Sequence, residues 1–240
     1  DGGCLICAMP NTAGAARFEK LLATACGPLH SIQKNKCRAF YATHNENWDD
    51  SRFNEWRKLG RRQVIDTGGF ISQAGTFSHG RIDKGSELMA QHMPANLHGT
   101  VADLGAGWGY LTRSALERCP AIEQIDAYEI DSRAIDCARI NLNDYQHKTH
   151  FHWHDVTAGL PDATYDAITT NPPFHSGQET DLNLAIAFLS HASRALKRGG
   201  SLHLVANRQL PYERVLDSLN LAWRPIAQNE QFKIITATKR

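Results

Sequence analysis

No apolar run in the 240 residues approaches the roughly 18 uninterrupted positions that a membrane-spanning helix needs, so a helical membrane protein is excluded. The opening DGGCLICAMPNTAG has no basic region ahead of its apolar residues, so a secretory leader is not expected and a cytoplasmic location is. An initiator methionine is missing before Asp1, and the chain runs directly into a strand-like segment; an upstream portion is therefore expected. Cysteine is scarce. Six residues are too few for a disulfide scaffold, and no CxxC…CxxC pair suggests zinc. Cys4 and Cys7 are three apart in a strand-like stretch and should point to opposite faces, so all six thiols are expected to be structural and no metal is expected. An excess of one charge is lacking too. The net charge is +1, which by itself announces no nucleic-acid partner. The balance is regional, +3 through His98 and −2 from Gly99 onward. Basic residues gather at Arg52, Arg57, Lys58, Arg61 and Arg62, interleaved with Phe53 and Trp56. Two readings stay open for this cluster, a solvated amphipathic helix or a phosphate-contacting patch. No repeat and no low-complexity tract stands out.

What is present is ordinary globular composition, 42% apolar and 21% charged. Residues 1–66 read as a partial α/β unit, with a strand at 3–8, a helix at 15–25 and a strand at 37–43; residues 45–62 turn polar and read as the connection out of it. Residues 67–240 form the second domain. From Thr100, short apolar runs alternate with longer amphipathic ones, the pattern of a mostly parallel sheet with helices on both faces. The pattern predicts strands at 100–103, 124–128, 150–153, 166–169 and 202–206, and helices at 110–118, 132–142 and 182–196. Arg198-Gly199-Gly200 should close the last helix. A helix from Pro211 and strands at 222–227 and 231–237 complete the chain.

Four segments carry chemistry, each at the end of a predicted strand. Asp103-Leu104-Gly105-Ala106-Gly107-Trp108-Gly109 is a glycine turn entering a helix, whose third glycine comes one residue too early for the dinucleotide fingerprint. It suits S-adenosyl-L-methionine (SAM) better than NAD, because Asp103 can meet a cationic amino group but would repel a pyrophosphate. Glu129, about 20 residues beyond the turn, can accept from both ribose hydroxyls. Asp155, after the next strand, can accept the adenine exocyclic N–H; the nearby His152 and His154 lack further partners of ligand type, so no metal is expected there either. Last comes Asn171-Pro172-Pro173-Phe174. Each proline stiffens the strand end and holds Asn171 outward. An exocyclic base amine is a poor nucleophile, because its lone pair is delocalised into the ring. The Asn171 amide oxygen and the Pro172 carbonyl can accept its two N–H groups and orient that lone pair, while Phe174 offers a face for the base.

The order DLGAGWG, YEID, HDV, NPPF resembles class I SAM-dependent methyltransferases of the small-domain type, over about residues 75–240. Asn171 to His175 with Gly177, Leu204 to Asn207, Leu210-Pro211-Tyr212, Phe232-Lys233, Gly75-Thr76-Phe77-Ser78 and Asp83 to Leu88 resemble more narrowly the bacterial ribosomal RNA guanine-N2 methyltransferases, small-subunit methyltransferase C type. The resemblance implies a class I, Rossmann-like fold with a mostly parallel seven-stranded sheet, preceded by the remnant of a degenerate methyltransferase-like domain. It implies SAM binding by Asp103, Gly105, Ala106, Gly107, Glu129 and Asp155, with Asn171 at the cofactor as well. Asn171, Pro172 and Phe174 would position guanine, and the partner would be ribosomal RNA or a ribosomal subunit. Arg208 departs from the small-subunit pattern and keeps the large-subunit guanine enzymes open. Adenine-N6 and protein-glutamine methyltransferases, which use the same Asn-Pro-Pro-aromatic geometry, and a catalytically silent RNA-binding module are the alternatives.

Overall fold

A computed structural model describes residues 2–65, 68–161, 164–173 and 179–240, the last without the side chains of residues 179–182. The chain divides into two compact units that break between Arg61 and Arg62. The break falls five residues before the expected boundary, because β4 (Arg62–Val64) pairs with β5 (Ile71–Gln73) and draws residues 62–65 into the second unit.

The first unit contains β1 (Cys4–Pro10), α1 (Ala15–Cys26), β2 (His30–Lys34), β3 (Cys37–Thr43) and α2 (Asp50–Leu59). Its sheet has the order β1-β3-β2, with both pairings antiparallel. Along β1 the residues alternate between exposed and half-buried, so Cys4 and Cys7 do lie on opposite faces. The β2–β3 hairpin turns at Asn35 and Lys36, both with positive φ (51° and 58°), the conformation a two-residue hairpin loop requires. Leu22, Cys26, Phe40 and Ala42 are the buried core, covered by Trp48, Phe53 and Trp56. The segment expected to be a connection is therefore helical. Asp49 caps α2 by accepting from the Arg52 amide at 3.1 Å, Phe53 and Trp56 form its inward stripe, and Arg57 and Lys58 stay exposed.

The second unit continues with α3 (Lys84–His92), β6 (Gly99–Leu104), α4 (Tyr110–Arg118), β7 (Ile122–Glu129), α5 (Ser132–Asn141), β8 (Thr149–Trp153), β9 (Tyr165–Thr170), α6 (Glu179–Ala195), β10 (Leu196–Asn207), α7 (Tyr212–Ser218), β11 (Leu221–Gln228) and β12 (Phe232–Lys239). Its seven strands run β11-β12-β10-β9-β6-β7-β8. From β8 across to β10 all neighbours are parallel, and β12 is antiparallel to both β10 and β11. Both faces are covered, as the alternation of the sequence predicts. Ile168, Leu202 and Leu204 pack on one side against Ala185, Leu189 and Ala192 of α6 and Leu216 of α7. On the other, Val101, Ile125 and Val205 pack against Met89 of α3, Ala115 of α4 and Ala138 of α5. One predicted boundary is corrected. Arg198-Gly199-Gly200 does not cap α6; it lies within β10, where pairing with β9 shifts register between Leu196 and Ser201. A side chain at Gly200 would meet the Asp166 and Tyr165 carbonyls at 3.1 Å, so glycine there admits the neighbouring strand.

Candidate active site

The chain leaves β6 for β7 and β8 on one side and crosses to β9 on the other, so a crevice opens at the carboxyl ends of these strands. A cavity of about 390 Å³ lies there, walled by the glycine turn, Glu129, Asp155, Asn171 and Phe188.

The glycine turn sits where strand β6 must reverse into α4. Gly105 and Gly107 have φ of 73° and 56°, a region that L side chains avoid. Two amides of the turn, Gly105 and Ala106, both donate to the Tyr128 carbonyl at 2.9 Å, tying it to β7. The next amide, Gly107, donates to Glu129 Oε2 at 2.8 Å, and Glu129 Oε1 accepts from the Asp131 amide at 2.9 Å. Each carboxylate oxygen of Glu129 keeps a further lone pair on the cavity wall. Asp155 caps the short turn after β8: its Oδ1 accepts from the Thr157 amide at 2.8 Å and from the Thr157 hydroxyl at 2.7 Å. Those bonds hold its carboxyl below the usual aspartate range.

Asp103 departs from expectation. It does not line the cavity; it is fully buried beneath the turn, accepting from the Thr112 hydroxyl at 2.6 Å and the Thr169 hydroxyl at 3.1 Å. Removal from water pushes its pKa up to about 6, against the opposing pull of the two hydroxyls. Asp103 thus joins β6, α4 and β9.

Asn171 follows β9. Its Nδ2 donates to Ser86 Oγ at 2.8 Å and to Asp83 Oδ2 at 3.0 Å, and its Oδ1 is buried without a hydrogen-bond partner among the described residues. Pro172 is buried at the cavity and Pro173 half-buried beside it. Phe174, His175 and Gly177 lie outside the described residues.

His152 and His154 do not converge. The His152 ring stacks on Tyr128 with centroids 4.4 Å apart, and His154 Nε2 lies 2.5 Å from the Gly159 carbonyl. Among the described residues no group of three His, Cys, Asp or Glu side chains could hold a metal ion, and no helix is long and apolar enough to cross a membrane.

Several wall residues were given no role in the site by the sequence, although their segments took part in the resemblance. Phe77 is 61% exposed at the cavity, its carbonyl accepting from the Trp108 indole at 3.0 Å. Asp83 and Ser86 also line it; their segment stands out in the sequence only through the family resemblance, and the local signal is that of a helix start, an acid that accepts from the amide three residues on.

The family model described as methyltransferase small domain matches residues 67–236. Among curated proteins, the ribosomal RNA small subunit methyltransferase C of Psychromonas ingrahamii is 29% identical over 98% of this chain and 67% of its own length. That of Hahella chejuensis is 32% identical over 85% of this chain and 59% of its own length. Among solved structures, the T. thermophilus 16S rRNA N2 G1207 methyltransferase (RsmC) in complex with AdoMet and guanosine matches with a TM-score of 0.82 and 28% identity, covering 100% of this chain and 65% of that one. A ribosomal protein L11 methylase from Lactobacillus delbrueckii subsp. bulgaricus, 18% identical with a TM-score of 0.54 over 69% of this chain and 82% of that one, shares the fold alone. The chain spans about two thirds or less of the length of the two curated relatives and of the T. thermophilus enzyme.

Proposed function

Because the chain belongs to the methyltransferase small domain family, we propose that its second unit transfers a methyl group from SAM to the exocyclic N2 amine of a guanine in ribosomal RNA, in the small subunit by preference. The observation that carries this reading is Asn171: an amide at a cavity, its NH2 end committed to Asp83 and Ser86, its oxygen buried and open to a donor.

The residues present fit SAM. The cavity of about 390 Å³ falls within the usual range for small-ligand sites, roughly 300–1,000 Å³. Glu129 would accept from the ribose hydroxyls and Asp155 from the adenine amine, with the Gly105-Ala106-Gly107 backbone allowing close approach. Asp103 would act from below, by holding the turn through Thr112 and Thr169. When bound, SAM supplies an electrophilic methyl group on a sulfonium. The protein's task is then positional and electrostatic. Asn171 Oδ1 and the Pro172 carbonyl would accept the two amine protons, turn the nitrogen lone pair toward the methyl, and stabilise positive charge as it builds on nitrogen. Phe174 would stack on the base.

Adenine-N6 and glutamine acceptors present the same planar N–H pair. Guanine is favoured by the likeness, at 28% identity over the whole chain, to a protein whose name specifies N2 of a 16S guanine and which was solved with guanosine. The first unit fits the remnant of a methyltransferase-like domain, since its β1-α1-β2-β3 succession and strand order match β10-α7-β11-β12. With a ribosomal substrate the activity would be cytoplasmic.

The test is transfer of labelled methyl from SAM to naked small-subunit RNA, naked large-subunit RNA and each isolated subunit, followed by nucleoside digestion. The expected product is N2-methylguanosine from the small-subunit RNA. Label in N6-methyladenosine or in protein would overturn the assignment.

A further inference from the structure

We propose that Asp83 and Ser86 are positioning residues that set the polarity of the Asn171 amide, presenting its oxygen rather than its NH2 group to the acceptor; the role of the oxygen rests on the function proposed above.

The two ends of a carboxamide are nearly the same size, so a half-turn about the last side-chain bond exchanges acceptor for donor at almost no steric cost. Only hydrogen-bond partners choose between the two states. Here the choice is strongly biased. Asp83, when ionised, can only accept, and its Oδ2 lies 3.0 Å from Asn171 Nδ2. Ser86 Oγ, 2.8 Å from the same nitrogen, adds a second acceptor. In the flipped state the amide oxygen would face a carboxylate oxygen, acceptor against acceptor, and the NH2 group would face an incoming amine, donor against donor. The Ser86 hydroxyl could turn to donate to the flipped oxygen, but the bond to Asp83 and the bond to the acceptor would be lost at once.

Asp83 is itself held firmly. The same Oδ2 accepts from the Ser86 amide at 2.8 Å and caps α3, so one oxygen links the helix start to the end of β9. A side chain at Gly85 would meet Val205 Cγ1 at 2.9 Å and both Asp83 Oδ2 and Phe232 Cδ1 at 3.1 Å, so the first turn of α3 lies tight on β10 and β12. The cap is thereby fixed against the sheet that carries Asn171. Sequence separation hides the arrangement, because Asp83 and Asn171 lie 88 positions apart.

The test separates capping from positioning in the full chain. The double variant Asp83→Ser, Ser86→Ala keeps a good helix cap, since serine accepts from the third amide, but leaves Asn171 Nδ2 without either acceptor. Asp83→Asn keeps an acceptor oxygen on a side chain of the same length. The first readout needs no activity: hydrogen exchange of the Asn171 side-chain NH2 by 15N NMR, assigned by its loss in Asn171→Ala. Exchange should be at least about tenfold faster in the double variant and close to wild type in Asp83→Asn. The second readout is methyl transfer, where the double variant should lose roughly 10–100-fold in kcat with SAM affinity unchanged, and Asp83→Asn should recover most of it. Unchanged exchange in the double variant, or equal kcat losses in both variants, would overturn the inference. Failure of the wild-type chain to methylate guanine, together with the expected exchange pattern, would sink the proposed function and leave the positioning role standing.

Discussion

The strand, helix, strand, strand succession occurs twice in this chain, as β1-α1-β2-β3 and as β10-α7-β11-β12. In both, the last strand lies between the other two and is antiparallel to each. Even the approach is shared: Gly2-Gly3 precedes β1, and Gly199-Gly200 lies ahead of the regular pairing of β10. This structural repeat is invisible as a repeat in the sequence, because strands of one topology tolerate many apolar side chains. The difference lies in what each copy adjoins. Beside β10 the sheet continues through β9, β6, β7 and β8, and Glu129, Asp155 and Asn171 of the cavity follow the ends of those strands, while its third acid, Asp83, caps α3. Among the described residues of the first unit, no strand extends the sheet past β1 in that way. The comparison teaches that the repeated substructure is scaffold, and that the proposed chemistry belongs to the ends of the four further strands described in the second unit, with the start of α3.

The largest effect expected is on the scaffold alone. Phe40 is 1% exposed in a small core, and Phe40→Ala should cost about 3–5 kcal/mol, enough to melt the first unit in calorimetry while SAM still binds. Loss of SAM binding with it would break the comparison. Asn171→Ala should lower turnover by roughly 10²–10³ with SAM affinity retained, and steady-state kinetics beside calorimetry would show the split; equal losses would contradict its role toward the acceptor. Asp103 gives a pH signature confined to the second unit. Its folded-state pKa of about 6 exceeds the ordinary 3.8, so between those values the folded chain holds a proton that the unfolded chain has released. Stability should therefore fall as pH rises through that window, on the order of 3 kcal/mol, and stay lower above it. Asp103→Asn should flatten this part of the pH profile of chemical denaturation. Smallest is Glu129→Ala, expected to weaken SAM binding by about 1.5–3 kcal/mol through lost acceptor bonds.

Much of the second unit was legible. The glycine turn, Glu129, Asp155 and Asn171 each end an apolar run, and parallel strands bring such ends together whatever lies between them. Other features depend on distant partners. The strand His30–Lys34 is exposed throughout and lacks an apolar alternation to betray it. Arg198-Gly199-Gly200 has the composition of a helix cap, and only the nearness of β9 makes it a strand irregularity. A strand end also does not reveal whether its carboxylate rises into the site or sinks below it, which is how Asp103 came to be expected on the wall. Asp83 and Phe77 sit far along the chain from the residues they contact; the place of Asp83 shows when α3 is seen against the end of β9, and that of Phe77 when its carbonyl is seen on the Trp108 indole.

The measurement that tests the division most directly is calorimetric titration of the whole chain with SAM. One binding site per chain, weakened by Glu129→Ala and untouched by Phe40→Ala, is the expected result. No binding, or two equivalent sites, would contradict the assignment of the cofactor site to the second unit.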